Sequence, residues 1–190
     1  MAMPVRVDRW TAEDLEQIPD DGLRYEVLNG QLIVNAAPKP RHQWLIKKLV
    51  RALDDAIPAG MFVLEGVGVL IGTDEPIPDI VIGTGAVDWE NRGIPVGQVV
   101  LAVEVVSAST TMQDRMVKPE LYAEAGIRHY WRIETHGFKG RLPDETLPVL
   151  FAHTLGENGS YEMTHRVPAG RFITLAEPVR ITLDPGALFG

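Results

Sequence analysis

The chain has 190 residues, a length typical of one domain, and its 45% hydrophobic and 23% charged residues are those of a soluble globular protein. It contains no cysteine, which excludes disulfides, thiolate zinc sites and cysteine nucleophiles, and no apolar run approaches the ~18 residues that a membrane span requires. The formal net charge of −8 should repel nucleic acid unless the basic residues cluster on one surface.

The N-terminal residues predict a short helix and a cytoplasmic protein. Residues 1 to 10 carry Asp8 and arginines where a secretory signal would have an apolar segment, so we expect a cytoplasmic location. Thr11 followed three positions later by Asp14 is typical of a capping box and predicts a helix from residue 10 to residue 18.

A β-hairpin is predicted after that helix. The runs 24–28 and 31–34 flank Asn29-Gly30, the dipeptide that best tolerates the positive φ angles of a two-residue turn. This is the strongest local signal in the chain, and it places the acid Glu26 in the first strand of the hairpin.

The middle of the chain predicts the element order helix, three strands, helix, strand. Leu45, Leu49 and Leu53 repeat at a spacing close to the helical period, and Pro58 and Gly60 end that segment. The predicted core elements are a helix at 41–57, strands at 62–71, 78–82 and 99–106, a second helix up to residue 125 that stops at Gly126, and a strand at 127–133.

The other segments predict a loop and a β-rich extension. Residues 83–97 show no periodic pattern and predict a flexible loop beside the site. Beyond residue 137, short apolar runs alternate with Gly, Pro and Asn, which predicts strands added to the core. We therefore expect one domain over residues 1–190, with its core at about 20–135 and its extension at about 137–190.

The most informative residues are two acids set into apolar strands. Asp79 lies in the run 78–82, and Glu104 lies in the run 99–106. An ionised carboxylate removed from water needs a partner, a proton or a metal, so two of them suggest a shared cation such as Mg²⁺. The carboxylates converge if the strand faces that carry them are adjacent. Each acid could instead lie in solvent at a strand end or pair with an arginine.

Lys118 follows these acids in the predicted order of elements. It lies four residues after Asp114, so the two side chains share a helix face and could form a surface ion pair. Alternatively, the helix start faces the strand end and brings the ammonium group to the acids. Pro119 suits only the first turn of a helix, which places Lys118 either at the helix start or beside a kink, and both positions are near the preceding strand.

Together these motifs resemble the PD-(D/E)XK restriction-endonuclease-like nucleases and, within them, the Uma-two family of bacterial proteins. The resemblance covers about residues 10–135 and implies a restriction-endonuclease-like α/β fold. That fold has the core order α-β-β-β-α-β, a mixed sheet flanked by helices, an N-terminal hairpin and C-terminal β additions. The motifs that carry the resemblance are Tyr25–Gly30, His42, Pro78-Asp79, Val103–Thr110, Asp114 with Lys118, and Tyr122–Trp131.

The resemblance implies a metal site with a displaced lysine. Asp79 and Glu104 would bind Mg²⁺ or Mn²⁺ with the help of the backbone carbonyl of Val105. Val106 stands where the lysine of the superfamily usually lies, and the resemblance implies that Lys118, on the following helix, replaces it. Lys118 would then orient water or offset the charge of the phosphate.

Two further residues would support that site. The resemblance implies that Glu26 faces the site and holds metal-bound water or a second ion, whereas an acid in a hairpin could equally lie in solvent. His42 lies in the first turn of the predicted long helix, on the side of Leu45 and Leu49. We favour a satisfied core imidazole at this position over a partner of a carboxylate.

The leading hypothesis is a metal-dependent endonuclease that hydrolyses DNA. The sequence has no histidine pair with zinc spacing, no phosphate-binding loop and no serine nucleophile motif. Two alternatives stay open, namely a catalytically inactive interaction or nucleic-acid-binding module of the same fold and a small-molecule phosphoester hydrolase. A homodimer would supply two sites for cutting two strands, although nothing in the sequence requires one. The candidates for a DNA-binding surface are Lys39, Arg41, Lys47, Lys48, Arg51, Arg115 and Arg128.

Overall fold

The structure is a computed structural model that describes residues 9–35, 37–106 and 112–189. The N-terminal segment 1–8 and the motif at 107–110 lie outside the described residues. The helices are α1 (Ala12–Leu15), α2 (Pro40–Asp54) and α3 (Lys118–Glu124), and a π-helical turn at Gln113–Val117 leads into α3. The strands are β1 (Arg24–Leu28), β2 (Gln31–Asn35), β3 (Met61–Glu65), β4 (Gly68–Leu70), β5 (Ile80–Thr84), β6 (Gly93–Pro95), β7 (Val99–Val106), β8 (His129–Glu134), β9 (Val149–Leu155), β10 (Tyr161–Pro168), β11 (Ile173–Leu175) and β12 (Ile181–Leu183).

A mixed six-stranded sheet forms the centre of the fold. Its strand order is β10-β9-β8-β7-β5-β3, and β7 pairs in parallel with β8 while the other neighbours are antiparallel. A parallel pair needs a crossover connection, which α3 supplies between β7 and β8. The predicted α/β class with a mixed sheet is therefore confirmed, and β9 and β10 extend the same sheet.

Each face of this sheet is covered by a different layer. On one face, α2 and the C-terminal β11–β12 hairpin bury the main core, and Leu45, Leu49 and Leu53 of α2 are fully buried, as their spacing predicts. On the other face, α3 and the small β4–β6 pair cover a second cluster. Residues alternate between the two faces along each strand, so Ala102 of β7 lies in the second cluster and Val103 in the first.

The predicted N-terminal hairpin is confirmed. Strands β1 and β2 pair in antiparallel register from Arg24–Asn35 to Leu28–Gln31. Asn29 and Gly30 connect them with φ angles of 52° and 74°, in the left-handed region that this dipeptide tolerates. The turn thus fixes the register of the hairpin, and this register places Glu26 opposite Ile33.

Three predicted elements differ from the structure. The strand predicted at 62–71 is divided into β3 and β4, because Gly66 takes a left-handed φ of 62° and redirects the chain. The loop predicted at 83–97 contains β6, which pairs with β4. The helix predicted at 10–18 spans only four residues, and the proline after Ile18 disfavours helical geometry at that residue.

No helix in the described part of the chain combines the length and the apolar composition that crossing a membrane would require.

Candidate active site

Asp79 occupies the point where β5 meets α2 and β7. It lies one residue before β5 rather than within it, which corrects the prediction that placed it in the strand. The ladder of β5 begins at Ile80, opposite Val103, so β5 supplies no ladder partner for the amide of Val105. The Oδ2 atom of Asp79 accepts that N–H at 2.7 Å and thereby extends the pairing of β7.

His42 contacts the other oxygen of the same carboxylate. Its Nε2 atom lies 3.1 Å from Oδ1 of Asp79, and both side chains are only slightly exposed. The structure therefore makes His42 the partner of a carboxylate, and the preference for a satisfied core imidazole was wrong. Helix α2 places the ring here because its first turn passes over the start of β5 while its later turns pack on the sheet.

Glu104 lies in the middle of β7 and is only 1% exposed. Glu104 lies two residues after Ala102 on β7, so the two side chains share one face of the sheet, and the carboxylate of Glu104 faces the layer that contains α3. Tyr122 of α3 donates a hydrogen bond of 2.7 Å to Oε1, and the Nζ atom of Lys118 lies 3.2 Å from the same oxygen. The structure thus excludes both alternatives considered for this acid, exposure at a strand end and pairing with an arginine.

Lys118 lies at the start of α3 and points into the protein rather than to its surface. Its side chain is about 5% exposed, and its Nζ atom lies 3.0 Å from Oε2 of Glu26 and donates to the carbonyl oxygen of Ile77 at 3.0 Å. The distance to Oδ1 of Asp114 is 3.9 Å, so the expected pair exists but is buried. Pro119 has no amide hydrogen, so it cannot donate the hydrogen bond that would join it to the turn before it. It is therefore suited to the first turn of α3, and the π-helical turn ends at Val117, just before α3 begins.

Glu26 is held in the site by the hairpin that carries it. It is 3% exposed, which excludes the alternative of an acid in solvent. The amide of Ile77 donates to Oε2 at 2.8 Å, and the side-chain amide of Asn35 donates to Oε1. Ile77 therefore contacts both partners of the ion pair, through its amide for Glu26 and through its carbonyl for Lys118.

The electrostatics of this cluster keep the lysine charged. Burial raises the pKa of Glu104 well above its ordinary value, although the charge of Lys118 opposes this effect. Burial by itself lowers the pKa of Lys118, but the surrounding carboxylates, of which Glu104 contributes most, outweigh it and raise that pKa. Lys118 is therefore an ammonium group at neutral pH. Burial also raises the pKa of Tyr122, so its hydroxyl remains a hydrogen-bond donor.

The structure places the five side chains singled out from the sequence in two contacting sets, Lys118 with Glu26 and Glu104, and His42 with Asp79. Asp79 and Glu104 lie close enough for the charge of Asp79 to raise the pKa of Glu104, and Val105 joins them through its amide. Among the described residues, no group of three or more His, Asp or Glu side chains is arranged to hold a metal ion.

Sequence reasoning missed two residues that hold the site acids in place. Tyr122 bonds to Glu104, and Asn35 bonds to Glu26. The sequence could have predicted that Tyr122 faces the site, because it lies four residues after Lys118 and so shares a helix face with it. Asn35 gave no such signal, since its contact depends on the register of the hairpin.

One residue proposed for a basic surface is used within the fold. Arg115 makes two hydrogen bonds of 2.7 and 2.8 Å to the carboxylate of Glu134, whose side chain is 1% exposed. This bidentate pair ties the π-helical turn to β8, so Arg115 is a structural partner of a buried acid rather than a free surface charge.

The comparisons with known proteins agree with this architecture. The Uma2 family, described as "Putative restriction endonuclease", matches residues 12–185 of the chain. A solved structure described as a putative nuclease belonging to DUF820, from Anabaena variabilis ATCC 29413, is similar over 98% of both chains, with a TM-score of 0.68 and 14% sequence identity. At that identity the likeness establishes the shared fold. No curated protein matches the chain.

Proposed function

Because the chain belongs to the Uma2 family, we propose that it is a nuclease that hydrolyses phosphodiester bonds in DNA with the help of Mg²⁺ or Mn²⁺. The observation that carries this proposal is a concentration of negative charge around one ammonium group. The acids that act on Lys118 are Glu26, Asp79, Glu104 and Asp114. Lys118 supplies one positive charge against these four acids, so the cluster favours an additional dication.

The residues present fit a hard divalent cation. Asp79 and Glu104 would hold it, together with the carbonyl of Val105. Proteins bind Mg²⁺ through one or two carboxylates and leave it several waters, so a site without three protein side chains is compatible with this ion. Such an ion, when bound, supplies Lewis-acid activation of water and of a phosphate oxygen.

Lys118 would contribute a fixed positive charge. The carboxylates around it raise its pKa, so at neutral pH it carries its proton and cannot accept one from water. Its three N–H groups face Glu26, Glu104 and the carbonyl of Ile77, so it would stabilise the negative charge that develops on the phosphate through its charge and not through a direct hydrogen bond. Glu26 and the carbonyl of Ile77 hold the ammonium group in position. His42 would orient the carboxylate of Asp79.

A basic surface on α2 supports nucleic acid as the substrate. Residues 36–53 contain five Lys and Arg side chains and no acid, although the whole chain has a net charge of −8. Trp44 is 46% exposed, and the Nζ atoms of Lys47 and Lys48 lie 5.9 and 5.0 Å from its ring centroid. We call this surface, with Arg51, the α2 basic face. Clustered lysines attract the phosphate backbone, and an exposed aromatic ring can stack on a base.

The size of the cavity beside Asp79 supports a polymeric substrate over a small phosphoester. Its volume is about 90 Å³, whereas sites for small molecules typically occupy roughly 300 to 1,000 Å³. A shallow opening of this size accommodates one phosphate of a chain that runs across the surface.

The experiment is cleavage of supercoiled plasmid DNA with Mg²⁺ or Mn²⁺ by the wild type, Asp79→Asn and Glu104→Gln. We expect cleavage by the wild type and a loss of roughly 100-fold or more in each variant, because each loses a metal ligand. The exposed acid of β10 provides a control, Glu162→Gln, which should cut normally. Equal cleavage by Asp79→Asn would overturn the proposal. DNA binding without cleavage by the wild type would favour a non-enzymatic module. Light scattering would report whether the chain forms a homodimer, which would supply two sites for cutting both strands.

A further inference from the structure

A small cavity opens beside Asp79, on the side of β1 and α2. It is formed between the start of β1, the second turn of α2 and the end of β3. The residues that line it are Arg24, Gln43, Ile46, Glu65, Gly66 and Asp79. Of the buried cluster around Lys118, only Asp79 reaches this cavity, so it is the outer face of the site.

The guanidinium group of Arg24 is held at this cavity by a glycine. Gly66 takes a left-handed φ of 62°, and a Cβ atom at this position would come within 2.9 Å of an Nη atom of Arg24. The amide of Gly66 also donates to the carbonyl oxygen of Asp79 at 3.0 Å. Arg24 therefore packs against a residue that is hydrogen-bonded directly to the backbone of Asp79.

Arg24 lacks the carboxylate partner that other partly buried arginines have. Arg115, Arg132 and Arg166 each lie within 3.2 Å of a glutamate oxygen. In the described parts of the chain, no acid lies within ion-pair distance of Arg24. A partly buried guanidinium without a partner is an available anion-binding group, because its planar donors match two oxygens of a phosphate.

We propose that this cavity is a phosphate subsite in which Arg24 binds the non-bridging oxygens of a phosphodiester next to the bond that is cut. The inference rests on the proposed nuclease function and names the residue that positions the DNA backbone. Gln43 offers a further donor from α2. Glu65 and Asp79 line the same cavity, so an occupant with one negative charge fits better than a dianion. The subsite therefore favours an internal phosphodiester over a terminal phosphate.

The experiment compares wild type, Arg24→Gln and Arg24→Lys in binding a fluorescein-labelled DNA duplex without divalent metal, over a range of salt concentrations. We expect Arg24→Gln to weaken binding about 10-fold and to reduce the slope of log K against log salt by about 0.9, the loss of one phosphate contact. Arg24→Lys keeps the charge and the packing on Gly66, so it should keep the slope and lose part of the affinity. An exposed arginine near β11 gives the matched control Arg171→Gln, which should bind like the wild type.

The outcomes separate this inference from the proposed function. An unchanged slope in Arg24→Gln, with thermal unfolding like that of the wild type, would overturn the subsite. Wild-type binding that depends on Arg24, without metal-dependent cleavage, would support the subsite and contradict the nuclease. In a cleaving enzyme, Arg24→Gln should raise KM more than it lowers kcat, and a 5′-phosphorylated end should compete no better than a 5′-hydroxyl end.

Discussion

The ammonium nitrogen of Lys118 lies 3.2 Å from a carboxylate oxygen of Glu104, and both residues are buried. A buried ion pair of this kind adds little net stability compared with apolar side chains, but removal of one partner leaves an uncompensated charge. The pair therefore keeps the site together, and it makes the fold sensitive to changes at either residue.

Lys118→Met should destabilise the protein strongly at pH 8. The change leaves Glu26 and Glu104 buried without their cation, which costs about 3 to 5 kcal/mol in the free energy of unfolding. The loss should shrink towards pH 5, because Glu104 takes up a proton more readily once the charge of Lys118, which opposes the rise in its pKa, is gone. Urea denaturation at both pH values measures this, with the exposed Lys139→Met as control. A loss that is equal at both pH values would contradict the ion-pair explanation.

Local chemistry explains why part of this site was predictable from the sequence. Glu104 is the only charge in an eight-residue apolar run, so its burial and its need for a partner follow from the sequence. Pro119 limited the adjacent Lys118 to the start of a helix or to a position beside a kink, and the structure places it at the start of α3. The Asn29-Gly30 turn fixed the hairpin and with it the register of Glu26.

The remaining features depend on contacts between distant segments. His42 and Asp79 are 37 positions apart, and their contact requires the docking of α2 on the sheet, which helix periodicity alone does not specify. The division between β3 and β4 depends on the backbone angle of Gly66, within a run that otherwise favours one strand. The pairing of Arg115 with Glu134 requires the parallel register of β7 and β8.

Tyr122→Phe should weaken both the fold and metal binding. The hydroxyl of Tyr122 donates to Glu104 in a fully buried position, and a hydrogen bond to a charged group contributes about 1.5 to 3 kcal/mol. The carboxylate would also lose its fixed orientation, so we expect the Kd for Mn²⁺ to rise roughly 10-fold in calorimetry. Tyr25→Phe is a matched control, because it removes a bond of the same length to the exposed Asp21. Equal stability losses in the two variants would show that burial of the bond is irrelevant.

Charge reversal on the α2 basic face should reduce DNA binding without affecting the fold. Lys47 and Lys48 contact the ring of Trp44 at the surface and make no ion pair within the described residues. The double change Lys47→Glu, Lys48→Glu should therefore weaken binding of duplex DNA by 10-fold or more at low salt, with the difference decreasing at high salt, since each lysine releases about one counterion. Fluorescence anisotropy measures the affinity, and the double change Lys139→Glu, Arg171→Glu, at two exposed residues outside α2, controls for net charge. If both double variants weaken binding equally, only overall charge matters.

Acid should destabilise the protein through His153 of β9. Burial lowers the pKa of His153 from its ordinary 6.5 to about 4, with a smaller contribution from Arg132, and the ring stacks on Tyr130 at 5.5 Å. In the unfolded chain the imidazole takes up its proton near pH 6.5, whereas the folded protein resists protonation until about pH 4. The stability is thus fully present above pH 6.5 and is lost as the pH falls from there to 4, by roughly 2 kcal/mol. His153→Gln should remove this part of the pH dependence in urea denaturation, whereas the exposed His136→Gln should keep it. The same acid loss in His153→Gln as in the wild type would assign the effect to other groups.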